Sequence, residues 1–360
     1  MSIISPIFAL ELQLFNKKDV RLNFQKSITD SQMTLPVVYG VVILLWFLTP
    51  PILPSDSYST TEYGLWFHLP LALQQGYWSL GIGAFCASLA VYAMAELNNA
   101  NVLLRVGSRM LSTTLAFLLG LVVICHLFQP GMLLMLFVLL SFFPLFASYQ
   151  TTNPFLSFLT FLMVSVASLV FPKWLWIVPV YWIIQGYLRS FTLRCFLASL
   201  LAVMLPYWFY GAIALMTEST GDFLSHLQEM VSFQGFDYTQ LDRRELVVFL
   251  FVILLFLTGV IDFYLHRYQD KTRTRILYNV LVLYGIVITL WIGIQPQYFT
   301  TLLPVLILPT SILFGHFFTF THTRFSHILC IILLVLSLVV VTLQYLPPPP
   351  ILRNLLIFNY

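Results

Sequence analysis

Long uncharged stretches alternate with short polar connections along the whole chain. The longest covers residues 110–172, 63 residues without one Asp, Glu, Lys or Arg. A water-soluble domain carries charged side chains on its outer face, whereas a charge at the centre of a bilayer costs about 2.5–3.5 kcal/mol. At about 20 residues per crossing, this run alone predicts three transmembrane helices. Its polar breaks, at 129–131 and 149–154, fall where those helices would turn.

The same pattern over the full chain predicts an all-α, polytopic membrane bundle of about 11 transmembrane helices, or roughly 10–12 by length. The predicted spans are residues 34–52, 76–96, 109–129, 131–149, 154–172, 174–188, 195–217, 245–266, 276–294, 299–318 and 327–346. The span at 174–188 is short for a full crossing. Residues 1–33 form a basic N-terminal arm, 34–346 one transmembrane domain and 347–360 a Pro-rich tail.

Lysine and arginine are distributed unevenly between alternate connections. Thirteen lie in the N-terminal arm and in the connections on its side, and four lie on the other side: Lys173, Arg243, Arg244 and Arg353. Cytoplasmic loops carry an excess of these residues, so we expect a cytoplasmic N-terminus. If 174–188 did not cross, the alternation downstream would invert and the bias would shrink, which favours 11 spans.

Two predicted non-cytoplasmic loops, 53–75 and 218–244, are long enough to hold structure. In the second, apolar residues recur at helical spacing: Phe223, Leu224, Leu227, Met230 and Val231. This spacing predicts an amphipathic helix lying on the membrane surface.

The composition limits the kinds of binding partner that we expect. The chain is 59% hydrophobic and 9% charged, against a usual charged share of about 25%. Its net charge of +3 is too small to indicate nucleic-acid binding, so the lipid bilayer is the expected partner. The four cysteines lie in apolar segments, and His126 and His316 show no metal-ligand spacing. We therefore expect no disulfide framework, metal site or cofactor, and histidines that pack by hydrogen bonding.

Three ionisable residues in or beside spans are candidates for function. Asp262 lies inside a predicted span with His266 four residues on, so the two share a helix face. An intramembrane acid is a candidate proton carrier, although Asp262 could instead reach the interface and pair with Arg267 or Lys271. Glu96 could line a cytoplasmic vestibule, or simply solvate the end of its helix.

Acids and arginines in the outer loops raise an enzyme hypothesis. Membrane glycosyltransferases that use polyprenyl-phosphate donors generally place an acid in the first non-cytoplasmic loop, where Asp56 and Glu62 lie here. Arg243 and Arg244 could hold a pyrophosphate by bidentate contacts. Alternatively, the run at 242–245 caps and flanks a helix.

Several short segments carry a resemblance: Ala-Glu-Leu-Asn-Asn at 95–99 followed by 103–111, then 167–172, 188–194, 205–207 and 303–309. These segments resemble a family of uncharacterised multi-pass inner-membrane proteins of Bacteroidetes, and the resemblance spans most of the chain. It implies an inner-membrane helical fold, but no activity and no catalytic positions.

Two functions follow as expectations. The first is a non-enzymatic transport, envelope-assembly or scaffold component that works with other envelope membrane proteins. The second is a polyprenyl-phosphate-linked glycan enzyme acting on the periplasmic side, with a polyprenyl-linked lipid as its ligand.

Overall fold

The computed structural model describes residues 33–48, 73, 76–104, 108–232, 243–320 and 324–345. Within these ranges the chain forms twelve α-helices and no β-strand. The helices are α1 Thr34–Leu48, α2 Gly76–Asn101, α3 Met110–Leu121, α4 Pro130–Ala147, α5 Pro154–Val170, α6 Val178–Tyr187, α7 Leu193–Met216, α8 Thr220–Val231, α9 Arg243–His266, α10 Thr272–Ile294, α11 Phe299–Phe320 and α12 Arg324–Tyr345. Short 3-10 turns cover Val123–His126, Pro172–Ile177, Arg267–Gln269 and Pro296–Tyr298. The predicted helical class is confirmed for this part of the chain.

By length and apolar composition, six of the described helices could cross a membrane: α2, α4, α7, α9, α10 and α11. Helices α1, α3, α5 and most of α12 are apolar but shorter. The helix predicted within the 218–244 loop is present as α8. Asp56 and Glu62, the N-terminal arm and the Pro-rich tail lie outside the described residues.

Local sequence explains where several helices begin and end. The side chain of Asn153 accepts a hydrogen bond from the backbone N–H of Phe155 at 3.0 Å, and Pro154 occupies the first turn of α5. Left-handed residues end α2 and α7, with φ of 51° at Val102 and 57° at Glu218. The predicted end of the second span at residue 96 was too early, because α2 continues to Asn101.

Hydrogen bonds tie several connections together at one end of the bundle, which we call the basic end because Arg and Lys are concentrated there. Arg273 donates to the Asn101 side chain at 3.1 Å, which joins the α2–α3 and α9–α10 connections. Asn279 donates to the Tyr187 hydroxyl at 2.7 Å, and the Gln150 backbone N–H donates to the Leu188 carbonyl at 3.0 Å. The connections after α2, α4, α6 and α9 therefore lie at one end.

The turn after α3, the α5–α6 connection, α8 and the end of α12 lie at the opposite end. Gln344 of α12 accepts from the Val123 backbone N–H at 3.0 Å, just after α3. Trp176, between α5 and α6, donates to the Met230 carbonyl of α8 at 3.0 Å. Since 150 and 188 share the basic end, the 3-10 turn and α6 together retrace the path of α5. Their sixteen residues span about 27 Å, close to the thickness of a bilayer core of about 30 Å.

Helix α11 is the centre of the bundle, packed among α3, α4, α9 and α10. Close backbone approach at glycine allows this packing. An added Cβ at Gly259 of α9 would lie 2.8 Å from the Leu313 carbonyl carbon, and one at Gly131 of α4 would lie 2.9 Å from the Thr300 carbonyl oxygen. Pro304 has no N–H, so the Thr300 carbonyl receives no helical hydrogen bond from it. Helix α4 therefore approaches α11 at a point where the hydrogen bonding of α11 is interrupted.

Candidate functional site

Four titratable side chains meet at the basic end, where α9, α10 and α11 come together. Asp262 and His266 lie on the last turns of α9, Asp270 ends the 3-10 turn that leads to α10, and His316 lies near the end of α11. We call these four residues the aspartate–histidine cluster. Sequence spacing predicted only the Asp262–His266 half of it.

The cluster is arranged as a chain of alternating acids and imidazoles. His266 Nδ1 lies 2.9 Å from Asp262 Oδ1, which confirms the shared helix face. The other oxygen of that carboxylate, Oδ2, lies 3.7 Å from His316 Nδ1. On the far side of the ring, His316 Nε2 lies 3.3 Å from Asp270 Oδ2. His316 therefore has a carboxylate facing each of its ring nitrogens.

Burial distinguishes the members of the cluster. The fractional exposure is 5% for Asp262, 7% for Asp270 and 1% for His316, whereas the His266 side chain is 32% exposed. A buried carboxylate is tolerated when it is paired, and both aspartates face imidazoles here. The alternative that Asp262 reaches the interface and pairs with Arg267 or Lys271 stays a prediction. His266 is the member of the cluster that solvent reaches.

Aromatic rings enclose His316 on its remaining sides. The ring centroid of Tyr278 lies 4.9 Å away, that of Phe320 4.8 Å and that of Phe263 6.1 Å. Within the described part of the chain, the buried Tyr278 hydroxyl has no hydrogen-bond partner. Aromatic rings and the two carboxylates thus surround His316.

His316 was expected to be a packing residue, and its pairing with two aspartates was missed. Asp270 and His316 are far apart in sequence, and periodicity within one helix cannot reveal a contact between helices. The available signal was chemical: α11 carries an ionisable side chain although it is otherwise uncharged. His126 does fit the packing prediction, since it stacks on Trp46 at 4.6 Å and contacts the Gly120 carbonyl at 3.0 Å.

Glu96 lies apart from the cluster on an exposed position of α2. The asparagines that follow it are structural. Asn98 donates to the Ser108 carbonyl at 3.3 Å and accepts from the Leu104 N–H at 3.0 Å, so it closes the α2–α3 connection. The described geometry around Glu96 thus fits a helix end.

Arg243 and Arg244 lie at the opposite end, at the start of α9. Arg243 is exposed, and Arg244 is half-buried with one guanidinium nitrogen 3.5 Å from the Gln344 carbonyl at the end of α12. The acids predicted to work beside them, Asp56 and Glu62, lie outside the described residues. Their grouping with the arginines stays a prediction.

Comparison with known proteins leaves the site to be judged from its geometry. No protein-family model matches the chain, and no curated protein matches it. The resemblance to inner-membrane proteins of Bacteroidetes therefore stays a prediction. Within the described ranges, no three His, Cys, Asp or Glu side chains are grouped so that they could hold a metal ion.

Proposed function

We propose that the chain crosses a bacterial inner membrane eleven times, with its N-terminus and its basic end in the cytoplasm. The excess of Lys and Arg on one set of connections supports this orientation. The hydrogen bonds that join the connections after α2, α4, α6 and α9 at one end support the same alternation. The length of about 27 Å from Pro172 to Tyr187 supports a crossing by the shortest span.

We propose that the protein is a transporter whose transport is coupled to proton binding at the aspartate–histidine cluster. The observation that carries this proposal is the Asp262–His316–Asp270 arrangement, buried against the central helix. Ionisable residues inside a membrane are costly and are found on proton and substrate pathways. A proton would enter at His266, pass to Asp262 and reach His316, whose charge then depends on the state of both aspartates. Pro304 and Pro309 lie within α11, and helices interrupted by proline are common in transporters.

The proposal is tested by measuring proton binding directly. Purified protein is reconstituted into liposomes on a solid-supported membrane, and the external pH is stepped between about 7.5 and about 6.5, where histidine-linked groups titrate. We expect a transient current in the unaltered protein and its loss in Asp262→Asn, since the amide cannot take up the proton. Glu96→Gln removes an exposed acid away from the cluster and should leave the transient unchanged. An unchanged transient in Asp262→Asn would overturn the proposal.

We keep the polyprenyl-linked glycan enzyme as a second proposal because Arg243 is exposed at the end of the bundle opposite the cluster. An exposed guanidinium beside a helix N-terminus is suited to a phosphate group. In this case Arg243→Gln would remove an envelope glycan from the host while Asp262→Asn would not. The reverse result would favour transport.

A further inference from the structure

A fully buried lysine lies at the end of the bundle opposite the aspartate–histidine cluster. Lys173 belongs to the 3-10 turn between α5 and α6 and is 1% exposed. Its ammonium donates to the Tyr298 hydroxyl and lies 4.6 Å from the centroid of that ring. Among the described residues, it forms no ion pair with a carboxylate. The sequence predicted that Lys173 lies in a connection on the non-cytoplasmic side, and the fold buries it.

A buried donor without an acceptor follows directly in the chain. Trp174 is completely buried, and its indole N–H has no hydrogen-bond partner within the described part of the structure. Its ring stacks on Trp291 of α10 at 5.8 Å, with an interplanar angle of 7°. The neighbouring indole of Trp291 is satisfied, because it donates to the Gln295 side chain at 3.0 Å. Of these two stacked indoles, that of Trp174 is the one without a hydrogen-bond partner among the described residues.

One aromatic cluster holds both donors. Phe171 lies 5.3 Å from Tyr298, which contacts Lys173, and 6.4 Å from Trp291, which stacks on Trp174. We call Phe171, Lys173, Trp174, Trp291 and Tyr298 the lysine–aromatic cluster. It lies where the α5–α6 connection meets the start of α11.

Two buried donors without an acid between them are energetically costly. An uncompensated buried charge costs several kcal/mol, and an unsatisfied buried N–H costs about 1–3 kcal/mol. The Tyr298 hydroxyl and the face of its ring offset part of the first cost. Nothing among the described residues offsets the second. An oxygen group with negative charge would be complementary to each of these donors.

We propose that the lysine–aromatic cluster binds the carboxylate or phosphate group of a ligand, with Lys173 and the Trp174 indole as its donors. The phosphate could belong to a soluble anion or to a lipid headgroup, which share this chemistry. Binding of the anion does not depend on the proposed transport function. Only the step that makes this anion the transported solute rests on that function. Tyr298 and His316 are eighteen residues apart on the same central segment, about 27 Å, so one helix would connect the anion site to the proton site.

Binding is measured on the full chain in a detergent that contains no phosphate. Thermal unfolding is followed while inorganic phosphate or acetate is added at constant ionic strength, with potassium chloride as the balance. We expect a saturable rise in Tm in the unaltered protein and its loss in Lys173→Met. Trp174→Phe keeps the stacked ring, removes one donor and should weaken binding roughly tenfold, as expected for a hydrogen bond to a charged group. Lys271→Met, which removes an exposed lysine at the basic end, should bind as before.

Lipid arms of the same experiment separate the two sources of phosphate. If a headgroup occupies the site, phosphatidylglycerol raises Tm and competes with inorganic phosphate, whereas diacylglycerol, which lacks the phosphate, does neither. If the ligand is a soluble anion, inorganic phosphate or acetate acts and phosphatidylglycerol does not.

The proposal is overturned if no probe distinguishes the unaltered protein from both Lys173→Met and Trp174→Phe. If Lys173→Met does not fold, the comparison with Trp174→Phe still decides. Anion binding without a pH-step current would overturn the proton-coupled transport function and leave the anion site standing. A normal current without anion binding would overturn the anion site and leave the proton-coupled transport function standing.

Discussion

Helices α7 and α11 are similar in length and apolar composition but occupy opposite positions in the bundle. Within an apolar stretch of 18 residues in each helix, 94% of the residues are buried in α11 and 17% in α7. Four helices surround α11, whereas α7 exposes large side chains such as Leu201, Met204 and Trp208 along most of its length. In a bilayer, lipid covers such a face as well as protein does. Hydrophobicity therefore makes both helices suited to a membrane, and it does not decide which one is central.

Small and polar residues of α11 make close contacts with its neighbours. Helix α11 buries Thr310, Ser311 and His316, and Gly315 lies against Leu111 of α3. The Thr114 hydroxyl of α3 donates to the Ser311 carbonyl of α11 at 2.8 Å. Within membranes, close packing and interhelical hydrogen bonds hold helices together, because lipid is as apolar as leucine. Such contacts hold α11 among the helices that surround it.

The largest expected effect comes from the same substitution made in both helices. Leu306→Ala in α11 empties a completely buried site and should lower the free energy of unfolding by about 2–5 kcal/mol. Leu201→Ala in α7 alters a side chain that is 65% exposed and should change it by less than about 0.5 kcal/mol. Unfolding by dodecyl sulfate titration in mixed micelles measures both values. Equal losses would show that α7 is covered by protein and would contradict its peripheral position.

A smaller effect is expected where glycine allows helices to approach. Gly259→Ala places a methyl group against the backbone of Leu313 in α11, which cannot move aside, and should cost about 1–3 kcal/mol. Gly211→Ala in α7 meets only the ring of Phe223 at 3.3 Å, a side chain that can adjust. The same titration should find Gly211→Ala close to the unaltered protein. If Gly259→Ala were as stable, the close contact between α9 and α11 would not hold.

The sequence predicted the features that depend on neighbours along the chain. Uncharged runs located the helices, helical spacing found α8, and Asn153 with Pro154 marked the start of α5. The i, i+4 rule paired Asp262 with His266. Each of these depends on residues within one or two helical turns, so one sequence contains the whole signal.

The sequence could not predict features that depend on how helices pack. The contact of His316 with Asp270 joins two elements whose proximity no local pattern encodes. Lys173 follows Pro172 between two predicted spans, so it resembled an exposed loop residue. It is buried because Tyr298, 125 residues later, covers it. The central position of α11 is of the same kind, since it is a property of the whole bundle.

The smallest effect tests the one stretch of α7 that α8 covers. His226 of α8 is buried between the rings of Tyr207 and Tyr210, 5.8 and 5.5 Å away. Burial lowers the pKa of His226 to about 4, below its usual value of about 6.5. The undocked helix therefore binds a proton more readily than the docked one, so docking weakens as the pH falls from about 6.5 towards about 4. At higher pH both states are neutral and docking is strongest.

Hydrogen exchange of residues 220–231, corrected for intrinsic rates, measures this docking at about pH 8 and about pH 5, on either side of the usual histidine pKa. We expect protection of α8 to fall at the lower pH while that of α11 is unchanged. His226→Phe keeps an aromatic ring against Tyr207 and Tyr210 and removes the titrating group. Asp222 and Glu229, one turn to either side on α8, remain in this variant, so any pH dependence that they cause would persist. If His226→Phe lost protection as the unaltered protein does, these acids and not His226 would control how α8 covers α7.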